Sequence, residues 1–268
     1  MPELPEVETT RRGLEPHIVG RRIVRLTVHE PRLRWRIPDD LPPLLAGQRV
    51  AGIARRAKYL LIALDSGSLL LHLGMSGTLR ILPAATPRIA HDHYDLLLDS
   101  GNTLRFNDPR RFGSLHYITG DPRQHPLLAR LAPEPFDPDF NLDYLWRVTR
   151  RRASIKQVLM NSRLVVGVGN IYAAEALFRA RVRPRRQARS LSREETARLL
   201  KEVRMVLSQA IDVGGTTLRD YVGADGKEGY FRRRLYVYEL KECRLCGSAI
   251  RHLTQQGRSS YYCPVCQR

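Results

Sequence analysis

No stretch of this chain approaches the ~18 consecutive apolar residues that a membrane span needs. The charged N-terminus also lacks the apolar core of a secretory signal. These two absences lead to the expectation of a protein without membrane contact that works in the cytoplasm. Cysteine is missing from the first 242 residues. All four cysteines fall in the last 26, which excludes a disulfide framework for the whole fold. Acidic residues are in short supply, 27 against 45 Lys+Arg, giving a net charge of +18 and a pI near 10.5. A folded protein that basic most often meets a polyanion, with nucleic acid the leading candidate. The charge is also uneven: residues 147–204 hold 16 Lys+Arg and 4 Asp+Glu, so 16 − 4 = +12 in that segment. Finally, no strand–helix alternation argues for a parallel sheet.

What is present begins at the first residues, Met1-Pro2-Glu3-Leu4-Pro5-Glu6-Val7-Glu8-Thr9. Pro5 suits a first helical turn, because its φ is preset and its missing N–H would be unpaired there anyway. Glu6 and Glu8 fall at the positive end of the helix dipole. Val7, Leu14 and Ile18 form one apolar face, and Pro16 and Gly20 are expected to close the helix. If Met1 is removed, which the small Pro2 side chain permits, the chain starts with a secondary amine. Such an amine can attack an electrophilic carbon to form an iminium. Its pKa, about 8 for an ordinary terminus, leaves a usable neutral fraction at pH 7.

Beyond the helix come short apolar or alternating runs, 22–28, 49–53, 59–64, 69–73, 94–98 and 103–106. Turn residues separate several of them, as in Asp65-Ser66-Gly67-Ser68 and Asp99-Ser100-Gly101-Asn102. Many short strands with regular turns predict a β-sandwich or barrel. Lys58 stands at the head of one strand. Gly74-Met75-Ser76-Gly77 sets a flexible apolar side chain between glycines, and Asn107-Asp108-Pro109-Arg110-Arg111-Phe112-Gly113 sets a guanidinium two residues from an aromatic ring. Met75 and Phe112 taken singly also suit core positions. His91-Asp92-His93 lacks the spacing that lets three ligands converge on one ion.

Three prolines within residues 133–138 mark a boundary, read as an interdomain linker over 133–139. Beyond it the pattern is helical. Asn141 or Asp143 is expected to cap a helix running through the 150s, and Ser192 with Glu195 forms a capping box before 197–211. Val166-Gly167-Val168-Gly169-Asn170-Ile171-Tyr172 is not a dinucleotide fingerprint, because position 172 is Tyr and no βαβ unit surrounds it. A glycine loop before a helix N-terminus still makes a phosphate cradle, with Asn170 at its mouth. Residues 214–229 hold a second glycine-rich stretch. Cys243-Arg244-Leu245-Cys246, sixteen residues, then Cys263-Pro264-Val265-Cys266, is a strong four-thiolate zinc signal. The segment between is expected to form a hairpin with Gln255 to Arg258 at its tip. Arg258 is placed there to meet a phosphate.

Taken together, the opening string, the Val166–Tyr172 loop and the paired CxxC motifs closely resemble the bacterial formamidopyrimidine-DNA glycosylases. The resemblance runs from Pro2 to Cys266. It implies an α+β fold, with an N-terminal helix and β-sandwich domain (1–132) and a linker (133–139). A helical helix–two-turn–helix DNA-binding domain (140–228) and a four-cysteine zinc-finger hairpin (229–268) would follow. It implies one structural zinc ion on Cys243, Cys246, Cys263 and Cys266, and a monomer acting on damaged double-stranded DNA. Pro2 would be the nucleophile and Glu3 the proton donor, with Lys58 and Arg258 assisting the eliminations. Met75, Arg110 and Phe112 would fill the space of a flipped base, and His91, Arg151 and Asn170 would contact DNA. The loop 221–229 would close over that base. In one departure, Asn161 stands where relatives commonly have Asp.

Two other readings stand beside this one. The endonuclease VIII-like glycosylases, which excise oxidised pyrimidines, share the cradle and zinc motifs but typically open Pro-Glu-Gly-Pro-Glu; here position 4 is Leu. A non-catalytic zinc-finger DNA-binding protein would carry the same basic charge, and retention of Met1 would favour it.

Overall fold

A computed structural model describes residues 2–216 and 230–268 of the chain. They divide into two compact units: 1–129 with 213–230, and 130–212 with 231–268.

The first unit opens with α1 (Leu4–Ile18), whose Val7, Leu14 and Ile18 are buried as the apolar periodicity requires. The helix runs through Pro16 instead of stopping there. Proline removes one i→i−4 bond, and this close to the end only one carbonyl is left to be satisfied otherwise. Gly20 then takes a left-handed φ of +82° just past the helix. Two short elements follow, β1 (Ile23–Val28) and α2 (Leu41–Leu45). Seven strands complete the unit: β2 (Val50–Arg56), β3 (Tyr59–Leu64), β4 (Gly67–His72), β5 (Thr78–Pro83), β6 (Asp92–Leu98), β7 (Asn102–Asn107) and β8 (Ser114–Ile118). They form two four-stranded antiparallel sheets, ordered β1-β6-β7-β5 and β2-β3-β4-β8. Leu26, Leu96, Leu104 and Phe106 of one sheet share a single apolar cluster with Leu60, Ile62, Leu69 and Leu71 of the other. Leu14 and Ile18 of α1 join the same cluster. This is the sandwich that the strand pattern predicts.

The second unit contains α3 (Leu142–Thr149), α4 (Ile155–Met160), α5 (Asn170–Arg179) and α6 (Arg193–Asp212), then the hairpin β9 (Arg251–Gln255) and β10 (Arg258–Tyr262). The helix expected through the 150s is two helices. Asn141 caps the first, accepting from the Tyr144 N–H at 3.0 Å, and Ser154 caps the second. Ser192 and Glu195 exchange both bonds of their capping box, at 3.1 and 2.8 Å, as the sequence predicts. The proline-rich stretch is tied to α6 through Arg204, whose guanidinium donates to the carbonyls of Pro135, Asp137 and Phe140 at 2.7, 3.2 and 2.8 Å.

The hairpin is joined to the helices by a buried lysine. Lys156 on α4 is 2% exposed, and its ammonium donates to the Ser259 carbonyl and the Ser260 hydroxyl, both at 2.7 Å. Such a charge is tolerable only when hydrogen-bonded, so these two acceptors fix where the hairpin sits. Among the described residues no helix is long and apolar enough to cross a membrane.

Candidate functional site

In the first unit the site is built around the start of α1. Pro2 is buried, and Glu3, 2% exposed, is the residue that precedes the helix. The N–H of Glu3 donates to Glu6 Oε2 at 2.9 Å, satisfying one of the donors that a helix start leaves open. The other oxygen of Glu6 accepts the N–H of Thr216, 210 residues away, at 2.7 Å. Gly215, at φ +84°, passes so close that a Cβ there would lie 2.9 Å from Glu6 Oε1. Thr216 also bridges to Tyr230, whose N–H donates to the Val213 carbonyl at 3.1 Å. Thr216 and Tyr230 are thus both anchored, with Thr216 bonded to the helix that carries the N-terminus. The expected closing loop 221–229 lies outside the described residues.

Glu8, one turn along, receives Arg11, Arg12 and Arg55. Burial alone would raise its pKa, but these guanidiniums win and hold the carboxyl below the usual range. Arg55 is the penultimate residue of β2 and also donates to the Ala57 carbonyl at 3.1 Å. The same ion pair therefore ties α1 to the tight turn that carries Lys58. Ala57 adopts a left-handed φ of 53° in that turn. Opposite Tyr59 in the sheet register stands His72. Burial, with the charges of Lys58 and Arg34, pulls its pKa down to about 4, so the ring is neutral. Neutrality lets His72 Nδ1 accept the N–H of Gly74 at 3.0 Å, which sets the turn leading to Met75.

Met75, His91, Arg110 and Phe112, expected from separate stretches, meet at one edge of the sandwich around Asp108. That carboxylate is fully buried. It accepts from the Ser76 hydroxyl at 2.6 Å and from the N–H groups of Gly113 and Arg110 at 2.8 and 3.3 Å. The Asp108 N–H donates to the His91 carbonyl at 3.0 Å. Gly74 packs so tightly on this loop that a Cβ would lie 2.5 Å from Phe112 and Gly113 backbone atoms. The scaffold is rigid but its tips point out: Met75 and Phe112 are 37% and 42% exposed, and the Arg110 guanidinium lies 5.1 Å from the Phe112 ring centre. Exposed apolar tips on a buried polar frame are not core packing, so the core reading of Met75 and Phe112 is set aside. His93, by contrast, is buried against the Asp108 carbonyl at 2.7 Å, and among the described residues the only metal-binding cluster is of cysteines.

In the second unit Arg151 and Arg258 line one cleft of about 550 Å³, together with Lys156, Gln157, Asn161, Gln255 and Gln256. Among the described residues no carboxylate lines it, so the cleft suits an anion. Asn161 contributes to this balance, since Asp there would add a negative charge. Asn170 opens α5. Its Nδ2 lies 3.2 Å from the Tyr238 hydroxyl, and its Oδ1 is buried without a partner among the described residues. The four cysteine sulfurs lie within 4.8 Å of one another, with Cys246–Cys263 at 3.5 Å and Cys243–Cys266 at 4.0 Å. A disulfide would need about 2.05 Å. Tetrahedral thiolates on one ion at about 2.3 Å stand roughly 3.8 Å apart, so the cluster fits a metal ion.

Comparison with known proteins bears on both units. The formamidopyrimidine-DNA glycosylase N-terminal domain matches residues 1–115, and the formamidopyrimidine-DNA glycosylase H2TH domain matches 131–222. Those two domains in tandem define a DNA glycosylase architecture. Over their full lengths the chain is 56% identical to a formamidopyrimidine-DNA glycosylase of Thioalkalivibrio sulfidiphilus and 54% identical to one of Stutzerimonas stutzeri. The crystal structure of the MutM (Fpg) protein of Thermus thermophilus is similar at a TM-score of 0.88 and 42% identity, covering 99% of this chain and 98% of that one. A Lactococcus lactis Fpg mutant in complex with DNA containing Fapy-dG is similar at 0.92 and 33% identity, each chain covered in full. The chain belongs to the formamidopyrimidine-DNA glycosylase family.

Proposed function

We propose that this protein is a DNA repair glycosylase and AP lyase that excises oxidised purines, 8-oxoguanine and formamidopyrimidines, from duplex DNA. The observation that carries the reading is the N-terminus: a buried proline, followed by a buried carboxylate, fixed at the head of a capped helix. A nucleophile at a chain end must be free, secondary and held still, and a processed Pro2 meets all three conditions.

The neutral Pro2 nitrogen attacks C1′ of the flipped nucleotide, and the C1′–base bond breaks with its electron pair leaving on the base, which takes up a proton. Glu3 gives a proton to the sugar ring oxygen as the ring opens, leaving an iminium between Pro2 and C1′. Loss of a C2′ proton then expels the 3′ phosphate, and a second elimination expels the 5′ phosphate. Water releases the remaining sugar fragment. Lys58 and Arg258 assist these two eliminations. Phe112 and Met75 fill the gap left by the extruded base, and Arg110 hydrogen-bonds the base left without its partner. His91, Arg151 and Asn170 hold phosphates, which position the duplex without reading sequence.

Residues 1–132 supply catalysis, 133–139 connect, and 140–228 with 229–268 grip DNA. The ion on Cys243, Cys246, Cys263 and Cys266 is zinc, closed in by four protein ligands and therefore structural. The protein acts as a cytoplasmic monomer. The test is a gel assay on duplexes with a single lesion. With 8-oxoguanine, base release and strands ending in phosphate on both sides of the gap are expected. Efficient cutting of an oxidised-pyrimidine duplex with none of the 8-oxoguanine duplex would assign the protein to the sister class instead.

A further inference from the structure

A second cleft in the helical unit, of about 450 Å³, is lined by Arg179, Gln209, Arg233, Arg234, Tyr236 and Arg244. It shares no residue with the cleft that holds Arg151 and Arg258. Four guanidinium groups line it and, among the described residues, no carboxylate does. Guanidiniums gathered in one concavity raise the local positive potential, so the cleft suits an anion.

Several of the groups are fixed in advance. Arg179 ends α5 and donates from Nη1 to Gln209 Oε1 on α6 at 2.7 Å. Its guanidinium also lies 5.4 Å from the Tyr236 ring centre, and that ring stacks with Phe178 at 5.3 Å. The backbone under Tyr236 is anchored in turn. Glu175, buried on α5, accepts the N–H groups of Tyr236, Val237 and Tyr238 at 2.8, 3.0 and 3.0 Å. With both oxygens committed to the backbone, Glu175 is not offered to the cleft as a hydrogen-bonding partner. Arg244 is held by donation to the Arg233 carbonyl. One donor is left over: Nε of Arg179 is buried and has no hydrogen-bond partner among the described residues. An unmet buried donor on a charged group is costly, and a negative charge in the cleft that Arg179 lines would offset part of that cost.

The geometry points to a second anion site on this protein, for the phosphoryl oxygens of a phosphate-bearing ligand. A carboxylate offers two oxygens, whereas several forked guanidiniums around one space match the many oxygens of phosphate esters or oligophosphates. The volume falls within the range of small-ligand sites and exceeds what a single ion needs. The inference does not rest on the glycosylase reading, because none of its residues has a part in that chemistry.

The test is calorimetric titration of inorganic pyrophosphate into the full chain at constant ionic strength. Saturable binding is expected at this cleft, apart from any at the cleft that holds Arg258. In the R258Q background the site should remain, and adding R234Q/R244Q, at two exposed side chains, should weaken it at least tenfold. Unchanged binding when R234Q/R244Q is added, loss in R258Q alone, or an unsaturable response would overturn the proposal. Lesion-free duplex added to pyrophosphate-loaded R258Q then identifies the source. Displacement assigns the site to DNA backbone phosphates and persistence to a free oligophosphate, and either supports it.

Discussion

Glu6 accepts the N–H of Thr216 at 2.7 Å on one carboxylate oxygen while the other takes the N–H of Glu3 at 2.9 Å. One buried side chain therefore positions Glu3, the residue after Pro2, and Thr216 at the base of the glycine-rich stretch. A carboxylate has two acceptor oxygens and a carboxamide only one. Glu6→Gln, with almost unchanged shape, turns one of these bonds into a donor facing a donor. A buried unmet donor costs about 1–3 kcal/mol, so thermal unfolding should show a lowered Tm and single-turnover cleavage should slow. An unchanged Tm and rate would mean that the bonds to Glu6 carry neither stability nor alignment.

His72 gives the protein a defined acid sensitivity. Its pKa falls from about 6.5 unfolded to about 4 folded, chiefly through burial and then through Lys58 and Arg34. The unfolded chain therefore binds the extra proton between those values. Stability from this group is fully present above pH 6.5 and is lost as pH falls toward 4, by up to about 3 kcal/mol. Denaturant unfolding across that range should show the loss. His72→Asn, which keeps an acceptor for the Gly74 N–H, should remove that part of the slope; an identical slope in the variant would assign it elsewhere.

Much of the fold was legible because local rules and packing agree. The Ser192–Glu195 capping box, the sandwich hairpins with their Asp/Ser/Gly turns and the paired CxxC motifs each state their structure within a few residues. Other elements were hidden. Leu41–Leu45 is a helix containing Pro42 and Pro43, too short for any periodicity. β5 and β8 were passed over because neither alternates cleanly between buried and exposed positions. The break between α3 and α4 is marked by the Ser154–Gln157 capping box, a signal that the single long helix expected there passed over. The site was legible where a motif carries it and illegible where long-range contacts do. Nothing in the sequence separates Lys156, buried under the hairpin, from a solvated lysine. Likewise, nothing marks Asp108 as the acceptor that gathers the loops of Met75, Arg110 and Phe112.

Phe112 is predicted to act after docking. It is exposed on a frame held by Asp108, so Phe112→Ala should leave stability within about 0.5 kcal/mol of wild type. General duplex affinity, which phosphate contacts dominate, should change little. Extrusion of a fluorescent reporter base should fall at least tenfold. A variant that flips the reporter as readily as wild type would remove Phe112 from the mechanism.

Metal loss should reach beyond the hairpin. Cys246→Ser leaves three thiolates, and the small module loses most of its folding energy with the ion. Since Lys156 of α4 is buried against Ser259 and Ser260, loosening the hairpin strands a charged group in the helical unit. Zinc content, DNA binding and the protection of α4 amides from exchange should fall together, while the sandwich amides stay protected. Full duplex affinity in the metal-free variant would contradict this account.

The central claim is that the chain-terminal nitrogen of Pro2 performs the chemistry, and borohydride trapping tests it most directly. Reduction of the iminium should leave the processed protein covalently bound to duplex DNA containing 8-oxoguanine. The same protein with one residue retained ahead of Pro2 should bind the lesion and trap nothing, because its nitrogen is then an amide without a basic lone pair. Lys58→Ala should still trap, with slower strand cutting. Trapping of the extended protein as efficiently as the processed one would contradict the account and move the nucleophile to a lysine, with Lys58 the first to examine.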